Sequence, residues 1–310
     1  MFLLDISIVI VTYNSEGFIE KCVKSIIENT IDLTYEIVIV DNTSVDRTIE
    51  IVKDLTNKYK NIRLIISENQ GFNAGNNKGI KDSQGEYIAL LNPDTLLVNN
   101  AFKIIIEGMR SDINIGVCGG TLLMEDMSLN MSLGSFPSLY DTLIRTFKLR
   151  NDNYYLSDLS KEKMEIPFPS GADFVFKRSL IDRIGYMDEC YFLYFDEADY
   201  AYSITKLGLK NYLFTKAKII HLQGKSTEAV SEFAKATFFD SYIKYLLKNI
   251  SKGEALLMTI TKIVEHIIKI LLIYPLRRKY KSKDLMYREE LSFYRKTWSA
   301  VMDKRGSCDE

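Results

Sequence analysis

From Ile6 to Val11 the chain runs apolar and β-branched, then turns polar through Thr12, Tyr13, Asn14, Ser15 and Glu16. Apolar positions return at the helical spacing of Phe18, Ile19, Cys22, Val23 and Ile26. A buried strand, a polar loop and an amphipathic helix are predicted. The same events recur. Ile37 to Val40 leads into Asp41-Asn42-Thr43-Ser44 and a segment carrying Ile49, Val52 and Leu55; Leu64 to Ile66 leads into an Asn/Gly-rich loop; Tyr87 to Leu91 is a fourth strand. Strands apolar on both faces and alternating with helices predict an α/β fold with a mostly parallel, Rossmann-like sheet covered by helices on both sides.

Apolar runs return from Gly116 to Leu123 and from Gly171 to Phe176, separated by a polar, poorly periodic stretch from Glu125 to Pro169. A loop that long in a compact domain is expected to shape a binding surface or to move. After Glu228 the character changes, and helices are predicted over 228–249, 253–274 and 284–297. The middle one sets Leu256, Leu257, Ile260, Ile263, Val264, Ile267, Ile268, Leu271 and Leu272 around a polar stripe of Thr259, Lys262, Glu265, His266 and Lys269. It carries too many charges to span a bilayer. The basic cluster Arg277 to Lys283 follows directly, which suits anionic headgroups at a membrane surface; packing on the core or on a second subunit, as in a homodimer, is the competing reading. The expected division is a catalytic-type domain over 1–228 and a helical extension over 229–310.

Composition narrows the class. With 310 residues, 46% hydrophobic, 26% charged and a formal net charge of −1, the chain reads as globular, with no bulk attraction to nucleic acid. Cys22, Cys118, Cys190 and Cys308 form no Cys-x-x-Cys pair, against a zinc ribbon or a disulfide framework and in keeping with the cytoplasm. Met1 to Ser7 has no basic region or cleavage site, so no secretory signal is expected.

Each of the first four strands ends in polar residues: Thr12, Tyr13 and Asn14; Asp41 and Asn42; Glu68, Asn69 and Gln70; Asn92 and Asp94. The carboxyl ends of strands are where open α/β sheets take ligands. Pro93 ends its strand by removing a donor, so Asn92-Pro93-Asp94 is a turn that presents an amide and a carboxylate together. The loop Glu68 to Gly79 is neither a Walker A loop nor G-x-G-x-x-G; glycines at 71, 75 and 79 fit a helix packed closely on the sheet as readily as ligand contact. Farther on, Asp196, Glu197 and Asp199 follow an aromatic segment. They read either as acids favoured by a helix N-terminus or as a site for a general base. His221 closes another apolar run, and an imidazole with a carboxylate and phosphate oxygens makes a coherent Mn²⁺ or Mg²⁺ shell.

Taken together, Ile8 to Asn14, Val40 to Ser44, Asn69-Gln70-Gly71-Phe72 with Gly75-Asn76-Asn77, Leu91-Asn92-Pro93-Asp94, Phe195 to Asp199 and His221 to Ser226 resemble the family 2 glycosyltransferases of GT-A fold. The likeness runs from about residue 5 to 228 and is nearest to the rhamnosyltransferase branch that builds bacterial surface polysaccharides. The resemblance implies that Thr12, Tyr13, Asn14 and Asp41 hold the nucleotide of a dTDP- or UDP-linked sugar, with Asn69 and Asn77 nearby. It places Asn92-Pro93-Asp94 at the D-x-D motif, with Asp94 and His221 on Mn²⁺ or Mg²⁺, and Lys225 and Ser226 near the diphosphate. It puts the catalytic base at Asp196-Glu197, in the Glu197 position, and Asp199 and Asp173 toward a glycan or lipid-linked acceptor.

The sequence departs from the family pattern at Asn92, at Glu197 and at Ser203, and lacks the Q-x-x-R-W motif of processive polymerases. The implied activity is inverting, metal-dependent sugar transfer by a cytoplasmic protein, peripheral on the inner membrane face. A non-catalytic glycan-binding or partner-binding subunit is the alternative that the substitutions at 92, 197 and 203 support.

Overall fold

The computed structural model describes residues 4–147, 149, 160–222, 232–276 and 280–303. The chain divides into two compact units, one made of residues 1–135 and 158–231, the other of residues 136–157 and 232–310. The second unit thus takes a piece of the aperiodic central stretch as well as the helical tail.

In the first unit β1 (Leu4–Thr12), α1 (Ile19–Asn29), β2 (Tyr35–Asp41), α2 (Thr48–Lys58), β3 (Ile62–Ile66), α3 (Phe72–Asp82) and β4 (Gly85–Leu91) alternate as the pattern predicts. Then come β5 (Thr95–Leu97), α4 (Ala101–Ser111), β6 (Ile115–Leu123) and β7 (Leu133–Gly134). The chain leaves for α5 (Leu139–Thr146) of the second unit and returns with β8 (Lys163–Ile166), β9 (Phe168–Pro169), β10 (Asp173–Lys177), α6 (Ile181–Ile184), α7 (Asp196–Thr205) and β11 (Lys210–His221).

The main sheet has the order β3-β2-β1-β4-β10-β6-β11-β5, with β8 also paired to β11. β1 pairs in parallel with β2 and β4, and β2 with β3. The run from Gly171 to Phe176 becomes β10, which lies antiparallel between β4 and β6 and so leaves β6 and its parallel neighbour β11 running with β4. Only β5, β8 and β10 oppose that direction. Every residue of β1 from Ile6 onward, and of β6, is buried, as strands covered on both faces must be. Of the cysteines, Cys22 and Cys118 are buried free thiols. Cys190 is disulfide-bonded, a bond that the scattered spacing gave no sign of.

The glycine spacing of α3 is settled by packing. A methyl group on Gly75 would lie 2.9 and 3.0 Å from the two γ-carbons of Val11, and one on Gly79 would overlap Val9 and press on Val40. Gly71, at φ +107°, turns the chain into α3 against the backbone of Phe192. The other end of α3 is held by Arg178, whose guanidinium donates to the carbonyls of Gly85 (2.6 Å) and Ile80 (3.2 Å) and to Ser83 Oγ (2.7 Å).

The second unit packs α5 with α8 (Glu232–Asn249), α9 (Lys252–Ile273) and α10 (Lys281–Asp303). Its core holds Leu246, Ala255, Met258 and Val301, and Phe239 stacks on Phe293 with centroids 3.8 Å apart.

Gly79→Ala should lower the stability of the first unit by roughly 1–3 kcal/mol, the usual cost of overpacking. A fall in the denaturant midpoint without a change of slope would register it, and an unchanged midpoint would refute the close packing of α3 on β1.

Candidate active site

The parallel register puts the ends of β1 and β2 side by side, Thr12 opposite Asp41. Asp41 is fully buried. Its carboxylate accepts Thr12 Oγ1 at 2.8 Å, Ser44 Oγ at 2.6 Å and Ser44 N–H at 2.8 Å. Asn14, at φ +50°, donates its N–H to Ser44 Oγ and accepts Val45 N–H on its side-chain oxygen, both at 2.9 Å. Thr12, Asn14 and Asp41 are therefore brought together as one locked corner, while the Tyr13 ring stands 54% exposed beside it. Asn69 is also exposed, and its side-chain oxygen takes the Gly71 N–H.

Asn77 is spent differently. Its amide donates to the Met187 carbonyl (2.8 Å) and to Glu189 (2.9 Å) and accepts the Met187 N–H (3.1 Å), tying α3 to the segment that leads toward α7. Of its neighbours, Asn42 stands at a polar strand tip and Asn76 in the glycine-loop motif, whereas Asn73 carries no signal of its own. Asn73 Oδ1, Asn42 Oδ1 and both side-chain polar atoms of Asn76 are buried with no hydrogen-bond partner among the described residues. An Asn-rich helix start was the available signal, but spacing does not tell an amide that braces the backbone from one that is left open.

At the end of β4 the chain turns through Asn92, Pro93 and Asp94 into β5. The turn is held from three sides: Asn92 N–H donates to the Ala172 carbonyl at 3.2 Å, and the Asn92 carbonyl accepts Thr95 Oγ1 at 2.8 Å and the Cys22 thiol at 3.7 Å. Burial pushes the Cys22 thiol up to about 12, so the floor beneath the turn stays neutral. β5 pairs antiparallel with the end of β11, Thr95 opposite His221, and the Leu222 N–H donates to the Asp94 carbonyl at 2.9 Å. The two side chains meet as a consequence. His221 Nε2 lies 3.2 Å from Asp94 Oδ1, the imidazole buried and the carboxylate partly open to solvent. Lys225 and Ser226 lie outside the described residues.

The third group comes from α7. Tyr194 and Phe195 both have positive φ, +69° and +62°, so the chain reaches the helix through two consecutive left-handed residues with large side chains. Such conformations cost free energy and persist only where the surroundings enforce them. They turn the first turn of α7 inward. Asp196 is buried, and its carboxyl is held well above the usual carboxylate range by that burial, then by the charge of Glu197 and a hydrogen bond shared with it. Glu197 is only half-buried and lies along Gly171, where an added methyl would sit 3.5 Å from its carboxyl carbon. Asp199 is buried and receives the Tyr191 hydroxyl at 3.4 Å.

One short loop connects these groups. Ser170 N–H donates to the Ser132 carbonyl, Gly171 flanks Glu197, and Ala172 receives Asn92. Asp173 follows at the head of β10, opposite Leu91. It is buried, with Oδ2 accepting Gly120 N–H at 2.5 Å and Oδ1 finding no partner among the described residues, and burial pushes its carboxyl up to about 7. Asp173 thus sits under the loop rather than on its open side, a position that apolar flanking residues did not reveal.

The Asp94–His221 pair can be tested against a hard cation. Adjacent ligands of an octahedral ion at about 2.1 Å are about 3.0 Å apart, close to the observed separation; the carboxylate suits Mn²⁺ or Mg²⁺, and the imidazole nitrogen favours the softer Mn²⁺ of the two. Among the described residues no third His, Cys, Asp or Glu completes a cluster. His221 Nδ1 finds no partner among the described residues.

A model described as glycosyl transferase family 2 matches residues 7–185, more than half of the chain. The chain belongs to this family. It is 32% identical over 115 residues to the uncharacterized glycosyltransferase EpsJ of Bacillus subtilis strain 168, covering 37% of this chain and 33% of that protein. It is 33% identical over 123 residues to the poly(ribitol-phosphate) beta-glucosyltransferase of Bacillus spizizenii, covering 38% and 19%. These family 2 matches span less than half the length of the curated relatives. Among solved structures, GalNAc-T7 in complex with UDP, GalNAc and Mn²⁺ superposes with a TM-score of 0.60 at 16% identity, over 79% of this chain and 48% of that one. The likeness is one of fold, and the fold is GT-A with C-terminal helices added.

Asp173 makes stability fall with pH. Between about pH 4, where an unfolded Asp ionises, and pH 7, the folded carboxyl keeps a proton that the unfolded one has lost, so folding loses free energy across that window. Asp173→Asn should remove this loss: its unfolding midpoint should be near wild type at pH 4 and above it at pH 7.5. Parallel profiles for the two proteins would contradict the buried, neutral carboxyl.

Proposed function

We propose that the chain transfers a sugar, with inversion, from a dTDP- or UDP-linked donor to a hydroxyl of a glycan or lipid-linked acceptor in polysaccharide synthesis, with rhamnose as the donor sugar. The observation that carries the reading is the Ser170–Asp173 loop, which touches the Asn92–Asp94 turn and Glu197 at once. A leaving-group end and a base end of a displacement need to be held at a fixed separation by rigid parts, and this loop joins them.

Glu197 is the base. It is the more open of the two adjacent carboxylates, whereas Asp196 is buried, with its carboxyl held above the usual carboxylate range by that burial and by the charge of Glu197 and a hydrogen bond shared with it. The acceptor hydroxyl loses its proton to Glu197 as its oxygen bonds to the anomeric carbon, and the bond from that carbon to the diphosphate breaks on the far side. Asp94 and His221 would hold a divalent cation against the diphosphate, and such an ion, when bound, supplies Lewis-acid stabilisation of the charge that collects there. The locked corner of Thr12, Asn14 and Asp41 gives the nucleotide a preformed wall, with the Tyr13 ring available to stack on the base. Asp199 and Asp173 support the acceptor side, Asp173 from beneath through the loop it anchors.

Glu197→Gln should lower kcat about 10²- to 10⁴-fold with little change in donor binding, read by release of nucleoside diphosphate and by titration calorimetry with the nucleotide. Turnover near wild type would remove Glu197 from the base role. Asp94→Ala should abolish both turnover and its dependence on Mn²⁺ or Mg²⁺. If no nucleotide sugar yields nucleoside diphosphate with either metal, the non-catalytic binding subunit becomes the better reading.

A further inference from the structure

The long helix α9 is amphipathic in the inverted sense. From Leu257 to Leu272 every exposed residue is aliphatic: Leu257, Ile260, Val264, Ile267, Ile268, Leu271 and Leu272 are 42–73% exposed. The charged side chains face inward. Glu265 joins Lys262 at 2.8 Å, Lys269 at 2.5 Å and Thr146 of α5 at 2.7 Å. Burial alone would raise this carboxyl, but the three hydrogen bonds outweigh it and bring it down to about 2. His266 sets one ring nitrogen on the Lys262 carbonyl at 2.7 Å and the other on Glu290 of α10 at 2.6 Å. The polar stripe is thus consumed by pairing within the unit, and the apolar stripe, which would ordinarily make the core, is left outside. At a spacing of three and four residues it forms one continuous face over the length of the helix. Contiguous apolar surface of this kind marks a site of interaction.

The charges around the stripe choose the occupant. Ile270, one turn from Ile267, opens onto a cleft of α10 that is lined by Arg295 and Lys296 and by Arg288, whose guanidinium is paired with Asp284 at 2.9 Å. Past the C-terminal end of α9 stand Tyr274, exposed, then Lys281 and Lys283, and then Leu285 and Met286, also exposed. A second copy packed on the same stripe would bring Lys281 and Lys283 against their own counterparts or, with the helices reversed, against exposed Lys252. An aliphatic face with a cationic rim instead matches the interface of an anionic bilayer, where the side chains enter the acyl boundary and the cations meet headgroup phosphates. No described helix is long and apolar enough to cross a membrane, so the helix would lie in the interface plane.

We propose that α9 docks the protein on anionic lipid bilayers through its outward aliphatic stripe, with Lys281, Lys283, Arg295 and Lys296 on the headgroups. This stands independently of the transfer reaction and is tested without it. The full chain should sediment with sucrose-loaded vesicles of equimolar phosphatidylglycerol and phosphatidylcholine, much less with phosphatidylcholine alone, and less as salt is raised. Replacing Lys281 and Lys283 by Gln should weaken binding to the acidic vesicles roughly fivefold per charge. Ile268→Glu with Leu272→Glu should abolish it. Both positions are solvent-facing, so circular dichroism and the unfolding midpoint should match wild type and certify the fold. Equal binding to both vesicle types, no binding to either, or binding that survives the two Glu substitutions would overturn the proposal. A dimer in analytical ultracentrifugation that Ile268→Glu dissociates, without vesicle binding, would assign the stripe to a second copy instead.

Discussion

The antiparallel insertion of β10 between β4 and β6 is the constraint on which the rest of the site depends. Because β10 must begin opposite Leu91, the residues just before it are forced up against the end of β4, and the Ala172 carbonyl is there to take the Asn92 N–H. Register in a sheet admits no intermediate settings, since a slip of one residue would turn every side chain to the opposite face. The position of Gly171 beside Glu197 is therefore fixed by strand pairing far more firmly than a surface loop could be. The second clamp is of the same kind. The pairing of Thr95 with His221 brings together Asp94 and an imidazole from a strand more than a hundred residues later.

The parts of this arrangement that were legible in the sequence are those where one side chain has one energetic option. β-Branched runs such as Ile6 to Val11 and Ile37 to Val40 have nowhere to go but a doubly covered sheet, and Pro93 has to end its strand. The direction of β10 was not legible, because the run from Gly171 to Phe176 carries the same apolar signal whichever way its neighbours point. Nor was the fate of each amide. Asn77 and Asn76 are adjacent and chemically identical, yet one is fully engaged by Met187 and Glu189 and the side chain of the other has no partner among the described residues. The tail was legible as three helices with an amphipathic middle one, but hydrophobic periodicity has no sign: it gives the two faces of α9 without saying which is turned inward. The inward face is decided by pairing. Each buried charge on α9 has a partner within reach, so the desolvation cost that normally keeps charge outside is offset.

The carboxylates of the first unit divide by surroundings rather than by type. Asp41 is saturated with donors and serves as a structural corner. Asp173 has one donor and an empty second oxygen, and keeps its proton in the neutral range. Burial beside Glu197 raises the Asp196 carboxyl above the usual carboxylate range, and Glu197 is the member of that pair more open to solvent. Acids close together in a fold can hold different protonation states at one pH when their solvation and donors differ this much.

The paired left-handed residues Tyr194 and Phe195 have a further consequence. Side chains this large seldom take up that backbone conformation by themselves, so the approach to α7 is held there by its surroundings. The start of the helix behaves as a fixed stop rather than a hinge. The carboxylate at 197 is carried by that start and takes its bearing from it.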